Sequence, residues 1–496
     1  MILRAEAEPV KLCSSAELRR IVSGLDGMRV TLMGLGLFGG GEGAARFFVE
    51  REAYLTVTDL RPPGRLGPTL DRLRGLPILY RLGEHVESDF LRAGLVVANP
   101  AVRRDNRFLR LAQEAGVPVT SDMDLFLALC PAPIAAVTGS NGKSTTTALL
   151  AAMLRSAGRR VWMGGNIGIS LLPSLQFIAP TDIVVLELSS FQLEDAAGLP
   201  WSPHVAVVTN ITPNHLDRHE SFEAYAEAKR AIIRFQCTQD FAVLNAHNPV
   251  LRTWAEAGVP GSLLFFDSTP GAGELRHGVS LVGDRLVWRN GTRHEVICLR
   301  ERVPLLGLHN TENAMAAAAA ARCLGATSDQ IRESLSHFVG LEHRLEFVGE
   351  FDGLRFYNDS YSTTPAAGIA AVSSLRSPLT LIAGGYDKKL DITPFACAAA
   401  RSVAVLITIG KTGPLLAQKV REESARAGRS VVVKEAATLQ EAVQAAFSLS
   451  MPHSAVLFSP GCASYDMFEN YNHRGKVFKE LVHVTLGQPR ARSQGA

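Results

Sequence analysis

Short apolar runs rich in β-forming residues alternate with helical patterns in the N-terminal part of the chain. Met28–Gly34 is followed by a glycine loop, a helical stretch at Gly43–Glu52 and a second apolar run at Tyr54–Asp59. Two more apolar runs come at Leu95–Ala98 and Val117–Thr120. Because strand, glycine loop, helix and strand follow in that order, the pattern predicts the first half of a Rossmann-like, dinucleotide-type fold.

A second α/β pattern begins with the apolar run Ile134–Thr138, which leads through a glycine loop into a helix at Lys143–Ala157. Two further runs, Asp182–Leu188 and Val205–Asn210, are almost continuously apolar and are bounded by Pro, Gly or Asn. Strands of this kind are typical of a parallel sheet that is covered on both faces. From Leu263 to Val303 the segments become short and alternating, which predicts a small antiparallel sheet.

A third α/β pattern follows an alanine-rich helix at Asn313–Leu324. Its predicted strands are Leu354–Tyr357, Leu379–Ala383, Val403–Ile409 and Ala455–Phe458. Since one hydrophobic core cannot serve 496 residues, the sequence predicts an α/β protein of three domains. They are a Rossmann-like domain at 1–121, a central phosphate-loop domain with a small antiparallel sheet at 122–340, and a Rossmann-like C-terminal domain at 341–496.

Composition narrows the class of protein. Hydrophobic residues make up 47% of the chain and charged residues 20%, which is ordinary for a folded soluble protein. The net charge of +3 argues against a dedicated nucleic-acid partner. Seven scattered cysteines without a CxxC pair indicate neither a zinc ribbon nor a disulfide framework. We find neither a signal-peptide core nor a membrane-length apolar run, so we expect a cytoplasmic protein with no membrane partner.

The most specific pattern is the loop Gly139–Thr145, GSNGKST, between a predicted strand and a predicted helix. Glycines allow backbone N–H groups to turn toward a bound phosphate, and the helix N-terminus adds partial positive charge. Lys143 would reach the β- and γ-phosphates, and the Ser144 hydroxyl would ligate Mg²⁺. Val137 stands where the longer GxxxxGK[ST] pattern has its first glycine, which disfavours motor and switch NTPases.

Two candidate metal ligands come at the ends of the next predicted strands. Glu187 ends one apolar run, and His215 follows the next. Because the carboxyl ends of parallel strands meet at one edge of a sheet, both are expected near the phosphate loop. Mg²⁺ prefers oxygen ligands and keeps several waters, so Glu187 and Ser144 suffice for one ion. Each residue alone also has a structural interpretation, the glutamate as a helix cap and the histidine as a surface or core residue.

The N-terminal glycine loop has two interpretations. Gly34, Gly36 and Gly39 fit the GxGxxG pattern, and Asp59 ends the strand that follows. Taken alone, this combination favours NAD and an oxidoreductase, which is the main alternative from another class of enzyme. GxGxxG is a weak pattern by itself, however, and a phosphate loop with metal ligands has no place in a simple dehydrogenase.

Nine segments of the chain together resemble the Mur ligases, in the family's order and over nearly the whole chain after residue 27. They are GSNGKST, GGNIG (Gly164–Gly168), LELSSFQLE (Leu186–Glu194), NITPNHLDRH, HNTENAMAAAAA (His309–Ala320), LEHRLE (Leu341–Glu346), YNDS (Tyr357–Ser360), GGYDK (Gly384–Lys388) and SPGCASYDMFENYNHRG (Ser459–Gly475). The resemblance implies a UDP-sugar domain, a central ATPase domain and an amino-acid domain. Within the family it points to the members that add D-glutamate to UDP-N-acetylmuramoyl-L-alanine in peptidoglycan precursor synthesis.

The resemblance also implies a mechanism. The substrate carboxylate attacks the γ-phosphate of ATP to give an acyl phosphate and ADP, and the amine of D-glutamate then displaces phosphate. Both steps gather anionic oxygens, and each like-charge pair at ~4 Å costs ~4 kcal/mol at an effective dielectric constant of ~20. Two Mg²⁺ ions and Lys143 are expected to offset that repulsion. The implied partners are UDP-N-acetylmuramoyl-L-alanine, D-glutamate and ATP, and we expect a monomer.

The resemblance assigns the metal and catalytic roles to a small set of residues. Ser144 and Glu187 are implied to hold the first Mg²⁺, and His215 and Lys229 the second. A bare ammonium at Lys229 would repel a metal ion, and in this family CO₂ converts that lysine into a carbamate with anionic oxygens. The implied catalytic residues are Lys143, Glu187, His215 and Lys229.

The remaining site residues follow from the same resemblance. The implied ATP contacts are Gly139, Ser140, Asn141, Gly142, Lys143, Ser144 and Thr145, with Asn313 near the adenine, Arg344 at the γ-phosphate and Asp359 at the ribose. The implied contacts of the UDP substrate are Leu37, Phe38, Asp59, Arg61, Asn166 and Ser189. Those of the amino acid are Thr363, Lys388, Ser464 and Tyr471.

The chain departs from the family pattern at a few positions. Tyr361 occupies a position where the family commonly has lysine, and Tyr471 one that is often phenylalanine. Residues 1–27 extend beyond the compact family core. The change at Tyr361 leaves L-glutamate or another amino acid as an alternative substrate. A catalytically inactive binding protein is disfavoured, because the four implied catalytic residues are all present.

Overall fold

The computed structural model describes residues 10, 12–36, 39–168, 170–215, 218–269, 275–303, 305–375 and 378–487. The chain forms two compact units, Met1–Arg302 with Glu312–His337 and Val303–Thr311 with Phe338–Ala496. The first unit contains two largely parallel sheets and the second contains one, so the predicted α/β class is confirmed. The exact boundaries of the three predicted domains stay a prediction.

The first sheet has five parallel strands in the order β3-β2-β1-β4-β5. Its strands are β1 (Arg29–Met33), β2 (Tyr54–Asp59), β3 (Ile78–Leu82), β4 (Leu95–Ala98) and β5 (Val119–Thr120). The helices are α1 (Ser15–Val22), α2 (Gly40–Val49), α3 (Pro63–Arg72), α4 (Glu87–Leu91) and α5 (Arg107–Glu114). The predicted Rossmann-like order is confirmed, and α1 lies in the N-terminal extension, where the side chain of Leu18 is fully buried.

The second sheet carries the phosphate loop. Its strands are β6 (Ile134–Thr138), β7 (Val161–Gly165), β8 (Ile183–Glu187), β9 (Val205–Val208), β10 (Phe241–Asn245), β11 (Ser262–Asp267), β12 (His277–Val282), β13 (Arg285–Asn290) and β14 (Arg293–Leu299). The helices are α6 (Asp122–Leu129), α7 (Lys143–Ser156), α8 (Ser190–Ala196), α9 (Phe222–Arg234), α10 (Pro249–Glu256), α11 (Leu308–Cys323) and α12 (Ser328–His337), with 3₁₀ helices at Leu172–Phe177 and Arg300–Arg302.

The nine strands of this sheet are ordered β14-β13-β12-β11-β10-β9-β6-β8-β7. The strands from β12 to β7 pair in parallel, whereas β12, β13 and β14 pair antiparallel. The antiparallel strands predicted between Leu263 and Val303 are therefore an extension of the central sheet and not a separate one. Strands β6, β8 and β9 are neighbours, so the loops at their carboxyl ends meet at one edge.

The second unit contains a six-stranded sheet in the order β15-β16-β20-β17-β18-β19, with only β15 antiparallel. Its strands are β15 (Glu346–Phe351), β16 (Leu354–Asn358), β17 (Leu379–Ala383), β18 (Val405–Thr408), β19 (Val432–Glu435) and β20 (Ala455–Phe458). The helices are α13 (Pro365–Val372), α14 (Thr393–Ser402), α15 (Gly413–Arg426), α16 (Leu439–Leu449) and α17 (Tyr471–Leu486).

Buried apolar side chains hold each unit together. In the first unit one contiguous core joins residues of both sheets, such as Val30 and Leu186. In the second unit, alternate residues of one strand belong to two different cores, with Leu381 in one and Ile382 in the other. Successive side chains of a strand point to opposite faces, so this sheet is covered on both sides. Within the described ranges no helix has the length and apolar character that crossing a bilayer requires.

Candidate functional site

The phosphate loop lies between β6 and α7, and two of its glycines adopt left-handed backbone conformations. Gly139 has a φ of 147° and Gly142 a φ of 83°. A Cβ atom on Gly139 would overlap the Thr209 hydroxyl, and one on Gly142 would overlap the side-chain amide of Asn313. Both positions therefore require glycine for its backbone freedom and for its lack of a side chain.

The loop is fastened to the carboxyl end of β9. The Ser140 N–H donates to the carbonyl of Asn210 at 2.8 Å, and the Asn141 N–H donates to the Asn210 side-chain oxygen at 2.9 Å. The Thr209 hydroxyl donates to the Asn141 carbonyl at 2.6 Å. On its other side the Ser140 hydroxyl lies 2.9 Å from the hydroxyl of Tyr225. The loop conformation is thus fixed by neighbouring strands and helices as well as by its own sequence.

The first residues of α7 supply the positive charge of the loop. The Lys143 ammonium donates to the carbonyls of Gly139 at 3.0 Å and Ser140 at 3.1 Å, so it lies against the loop it belongs to. Ser144 and Thr145 follow in the first turn and are buried. An ammonium group and a helix N-terminus at one loop favour a phosphate, as the sequence predicts.

Glu187, at the end of β8, is fully buried beside this loop. Its Oε1 atom accepts a hydrogen bond of 2.7 Å from the side-chain amide of Asn166. Its Oε2 atom is buried and has no hydrogen-bond partner within the described part of the chain. A buried carboxylate oxygen left without a donor is costly, and a hard cation such as Mg²⁺ would satisfy it. The carboxylate oxygen of Glu187 is therefore a ligand that fits a magnesium ion.

Lys229 of α9 is also almost fully buried, with 1% of its surface exposed. Its ammonium donates to the Thr138 hydroxyl at 3.2 Å and lies 5.0 Å from the centre of the Tyr225 ring. Burial and the nearby charge of Lys143 lower the pKa of Lys229 well below its usual value, and Glu187 opposes them. The structure thus brings Lys229, Lys143 and Glu187 together, although the sequence pattern of α9 alone indicates nothing unusual about this lysine.

His215 lies in an exposed segment after β9, with a φ of 54°. Its ring contacts Phe191 edge-on, with 5.2 Å between the ring centres. Over the described parts of the chain, no group of three or more His, Cys, Asp or Glu side chains is arranged to hold a metal ion. A cation at this site would therefore depend on oxygen ligands from outside that set, such as Ser144, phosphate groups and water.

The N-terminal glycine loop uses Asp59 for its own structure. The Asp59 carboxylate accepts backbone N–H bonds from Leu35 at 3.0 Å, Gly36 at 3.3 Å and Arg61 at 2.9 Å. In the NAD interpretation this acid would instead accept from the ribose hydroxyls. The predicted UDP contacts Leu37 and Phe38 lie outside the described residues.

A glycine turn connects this loop with Glu187. The Asn166 N–H donates to the Glu187 carbonyl at 2.8 Å, in addition to the side-chain bond above. A Cβ atom on Gly39 of the N-terminal loop would lie 2.8 Å from the carbonyl of Gly168, at the other end of the turn. The predicted substrate residue Asn166 therefore lies between the N-terminal loop and the candidate metal ligand.

Two residues, Ser189 and Asn99, make structural contacts that were not predicted from the sequence. Ser189 is the N-cap residue of α8 and forms a capping box, in which it exchanges hydrogen bonds with Gln192. Its hydroxyl thus has a structural partner, and its predicted contact with the UDP substrate stays a prediction. Asn99, just after β4, lies against Gly34 and Gly36 of the N-terminal loop, and the sequence did not predict it as a site residue. Its position one residue after an apolar run was the sequence signal that could have indicated it.

The second unit contains the other predicted ATP residues. The guanidinium carbon of Arg344 lies 3.6 Å from the centre of the Tyr361 ring. The Asp359 carboxylate accepts from the Ser459 hydroxyl at 2.8 Å and from the Leu345 N–H at 3.2 Å. Burial raises the pKa of Asp359 to about 7, against the opposing effect of those hydrogen bonds.

A pocket in the second unit collects two of the predicted amino-acid residues. Its lining consists of Thr363, Pro365, Tyr386, Asp387, Lys388, Leu390, Ile392, Thr412, Leu415, Gly461, Cys462 and Ala463. Ser464, the next residue in the chain, is buried beside this lining, and Tyr471 begins α17. A lysine and a threonine in one pocket can donate hydrogen bonds to a carboxylate, as the prediction for Thr363 and Lys388 requires.

The site combines a glycine phosphate loop, a buried lysine and a buried carboxylate, one oxygen of which has no hydrogen-bond donor among the described residues. These features define a class of protein: an enzyme that binds a nucleoside triphosphate with a divalent cation. The family models for the Mur ligase middle domain and for the Mur ligase glutamate ligase domain match residues 137–321 and 343–462. The chain belongs to the Mur ligase family, and it is an ATP-dependent ligase.

Two curated relatives show which members of the Mur ligase family this chain is similar to. The UDP-N-acetylmuramoylalanine--D-glutamate ligase of Roseiflexus sp. is 44% identical and aligns over 92% of this chain and 99% of that protein. The enzyme of the same name from Acetivibrio thermocellus is 41% identical over 87% of this chain and 91% of its own. The structure of UDP-N-acetylmuramate-alanine ligase from Thermotoga maritima is similar in fold, with a TM-score of 0.62, 19% identity, and coverage of 92% of this chain and 100% of that one.

Proposed function

We propose that this enzyme joins D-glutamate to UDP-N-acetylmuramoyl-L-alanine at the expense of ATP, as a cytoplasmic step of peptidoglycan precursor synthesis. The names of the curated relatives support the substrates. The observation that carries the chemistry is the buried Oε2 atom of Glu187, for which the residues that the structure describes supply no donor beside the phosphate loop. The proposed partners are the two substrates and ATP, and the proposed oligomeric state is a monomer.

In the first step the terminal carboxylate of the L-alanyl group attacks the γ-phosphorus of ATP. A bond forms between the carboxylate oxygen and phosphorus, the bond to the bridging oxygen breaks, and ADP leaves. Lys143 and the N-terminus of α7 stabilise the negative charge that collects on the phosphoryl oxygens. Arg344 of the second unit is assigned to the γ-phosphate, and Asn313 and Asp359 are assigned to the adenosine.

In the second step the neutral amine of D-glutamate attacks the acyl carbon, and inorganic phosphate leaves as the amide forms. The proton of the amine passes to the departing phosphate or to solvent. Thr363, Lys388, Ser464 and Tyr471 are assigned to D-glutamate, which they would orient through its carboxylates. Asp59, Arg61 and Asn166 are assigned to the UDP substrate, together with Leu37, Phe38 and Ser189.

Magnesium would be held at two places by residues of the first unit. Ser144 and Glu187 would hold one ion, and His215 with Lys229 a second. When bound, the ions supply positive charge to the phosphate oxygens. The buried oxygen of Glu187 supports the first assignment, because it has no hydrogen-bond donor among the described residues.

For the second ion Lys229 must carry an anionic group, and we assign it a carbamate. The neutral amine is the form that attacks CO₂, and burial, which lowers the pKa of Lys229, increases the fraction of that form. The full-length chain equilibrated with ¹³C-bicarbonate should show a carbamate resonance in its ¹³C spectrum. The Lys229→Arg variant should lack it, and an unchanged resonance in that variant would assign the signal to another amine.

The proposed reaction is tested by ADP release from the full chain with UDP-N-acetylmuramoyl-L-alanine and a panel of D- and L-amino acids. D-Glutamate should support turnover and L-glutamate should not, and Lys143→Ala should abolish turnover. A strict preference for another amino acid would refute the assigned substrate. Thermal stabilisation by NADH but not by the UDP substrate would refute the assigned role of the N-terminal loop.

A further inference from the structure

Arg344 lies in a short segment with an unusual backbone. The residues on either side of it, His343 and Leu345, have φ values of 65° and 45°. Residues with a side chain rarely adopt such angles unless the surrounding structure imposes them, and such positions cluster at functional sites. The direction in which the Arg344 side chain leaves the backbone is therefore imposed by its surroundings.

Hydrogen bonds from three directions impose this conformation. The Tyr361 N–H donates to the His343 carbonyl at 3.0 Å, and the Leu345 N–H donates to the Asp359 carboxylate at 3.2 Å. The His343 N–H donates to the Glu346 carboxylate at 2.9 Å. Tyr361 is thus bonded to the same strained segment from which Arg344 projects.

The side chain of Arg344 lies on Tyr361 as well. The guanidinium carbon is 3.6 Å from the centre of the Tyr361 ring, well inside the distance at which a cation and an aromatic face attract each other. Tyr361 in turn contacts Tyr471 edge-on, with ring centres 4.7 Å apart and ring planes at 73°. Tyr471 is anchored at the start of α17, where its carbonyl accepts from the Ser360 hydroxyl at 2.8 Å. Tyr361 thus supports the Arg344 guanidinium, and Tyr471 supports Tyr361.

We propose that Tyr361 is a positioning residue that holds the Arg344 guanidinium, through its ring face, in the orientation that meets the γ-phosphate of ATP. This inference rests on the proposed function, because it takes the γ-phosphate as the target of Arg344. Stacking on a ring engages the face of a guanidinium, whereas planar recognition of an anion uses its edge, so the two interactions are compatible. The ring and not the hydroxyl is the active part of Tyr361.

The test measures the binding of a non-hydrolysable ATP analogue and of ADP, each with Mg²⁺, to the full chain by calorimetry. The ratio of the two affinities isolates the γ-phosphate and needs no second substrate. Arg344→Ala should reduce the preference for the triphosphate. Tyr361→Leu and Tyr361→Ala should reduce it by roughly two- to thirtyfold, the range expected for loss of a cation–π contact. Tyr361→Phe should keep the wild-type ratio.

A double-variant cycle separates positioning from general damage. In the Arg344→Ala background, Tyr361→Leu should change the ratio no further, because its effect acts through the arginine. Tyr54→Ala, which removes an exposed tyrosine of the first unit, should leave the ratio unchanged. The role of Tyr361 is overturned if Tyr361→Leu keeps the wild-type ratio while Arg344→Ala loses it, or if Tyr361→Phe falls with Tyr361→Leu. A wild-type chain that binds neither nucleotide would contradict the proposed function itself.

Discussion

Single residues of the phosphate loop show how closely backbone and neighbours are matched. Gly142→Ala should weaken ATP binding at least tenfold, because the added Cβ would overlap Asn313 at a position with a φ of 83°. Relieving such an overlap in a packed interior typically costs about 1–3 kcal/mol, in addition to about 1 kcal/mol for the left-handed conformation. Nucleotide titration by calorimetry measures the change.

Gly158→Ala is the matched control, at the other end of α7. Gly158 has a φ of 75°, but a Cβ atom there would meet nothing within 4 Å. The two variants share the backbone strain and differ in the overlap, so Gly158→Ala should bind ATP as the wild type does. Equal affinities for the two variants would show that the contact with Asn313 is unimportant.

For the candidate site, the sequence predicts which residues lie at the ends of individual strands, but not how their side chains are arranged. Glu187 is predictable as a ligand because it ends an apolar run beside the phosphate-loop strand. One of its oxygens accepts a hydrogen bond from Asn166, and the other has no donor among the described residues. This difference depends on side-chain positions, which the hydrophobic periodicity of a sequence does not encode. The three backbone N–H bonds that the Asp59 carboxylate accepts were not predicted, and its contact with the UDP substrate stays a prediction.

Among the elements, α8 depends on the capping box that Ser189 forms at its N-terminus. Ser189→Ala should lower the free energy of unfolding of the first unit by about 1 kcal/mol, the usual cost of losing a side-chain cap. All four tryptophans lie in that unit, so tryptophan fluorescence during urea unfolding measures it. Ser262→Ala, at an exposed strand position, should leave the transition unchanged.

Ser189→Thr keeps a hydroxyl that can cap and should restore most of the lost stability. Were Ser189→Ala as stable as the wild type but weaker in binding the UDP substrate, the hydroxyl would be a binding group first and a cap second.

The elements themselves were largely predictable where apolar runs are continuous. The strands β6, β8 and β9 lie within a few residues of their predicted bounds because they are buried on both faces. Five strands were not predicted: the edge strands β3, β7, β15 and β19 and the buried central strand β10. The strand β7 contains two glycines, and β3 is only partly buried, so neither has the apolar pattern that marks a central strand.

For the molecule as a whole, a group of buried carboxyls in the first unit contributes to the response of stability to pH. Burial raises the pKa of Asp124 to about 8 and that of Asp122 and Asp195 to about 6, while Arg104 opposes the effect at Asp124 and Asp195. In the unfolded chain these acids titrate near pH 4. Between pH 4 and 8 these three carboxyls therefore bind more protons in the folded state, so their contribution to the free energy of unfolding falls as the pH rises.

Asp124→Asn should reduce this dependence, since the amide resembles the protonated acid. The variant should lose less stability than the wild type between pH 5 and 8, and the slope should change by at most about 1.4 kcal/mol per pH unit. Urea unfolding followed by tryptophan fluorescence at several pH values gives the slopes. Asp26→Asn, at an exposed position of the same unit, should keep the wild-type slope. A steeper slope for Asp124→Asn would contradict the assigned protonation.

The close approach of Gly39 to the carbonyl of Gly168 constrains how this sequence can evolve. Any side chain at residue 39 requires the turn at 164–168 to move, and that turn is bonded through Asn166 to Glu187. A substitution of Gly39 is therefore expected to require compensating changes in a segment more than a hundred residues away. Across homologous sequences, substitutions in the N-terminal glycine loop and in the turn at 164–168 should therefore be correlated.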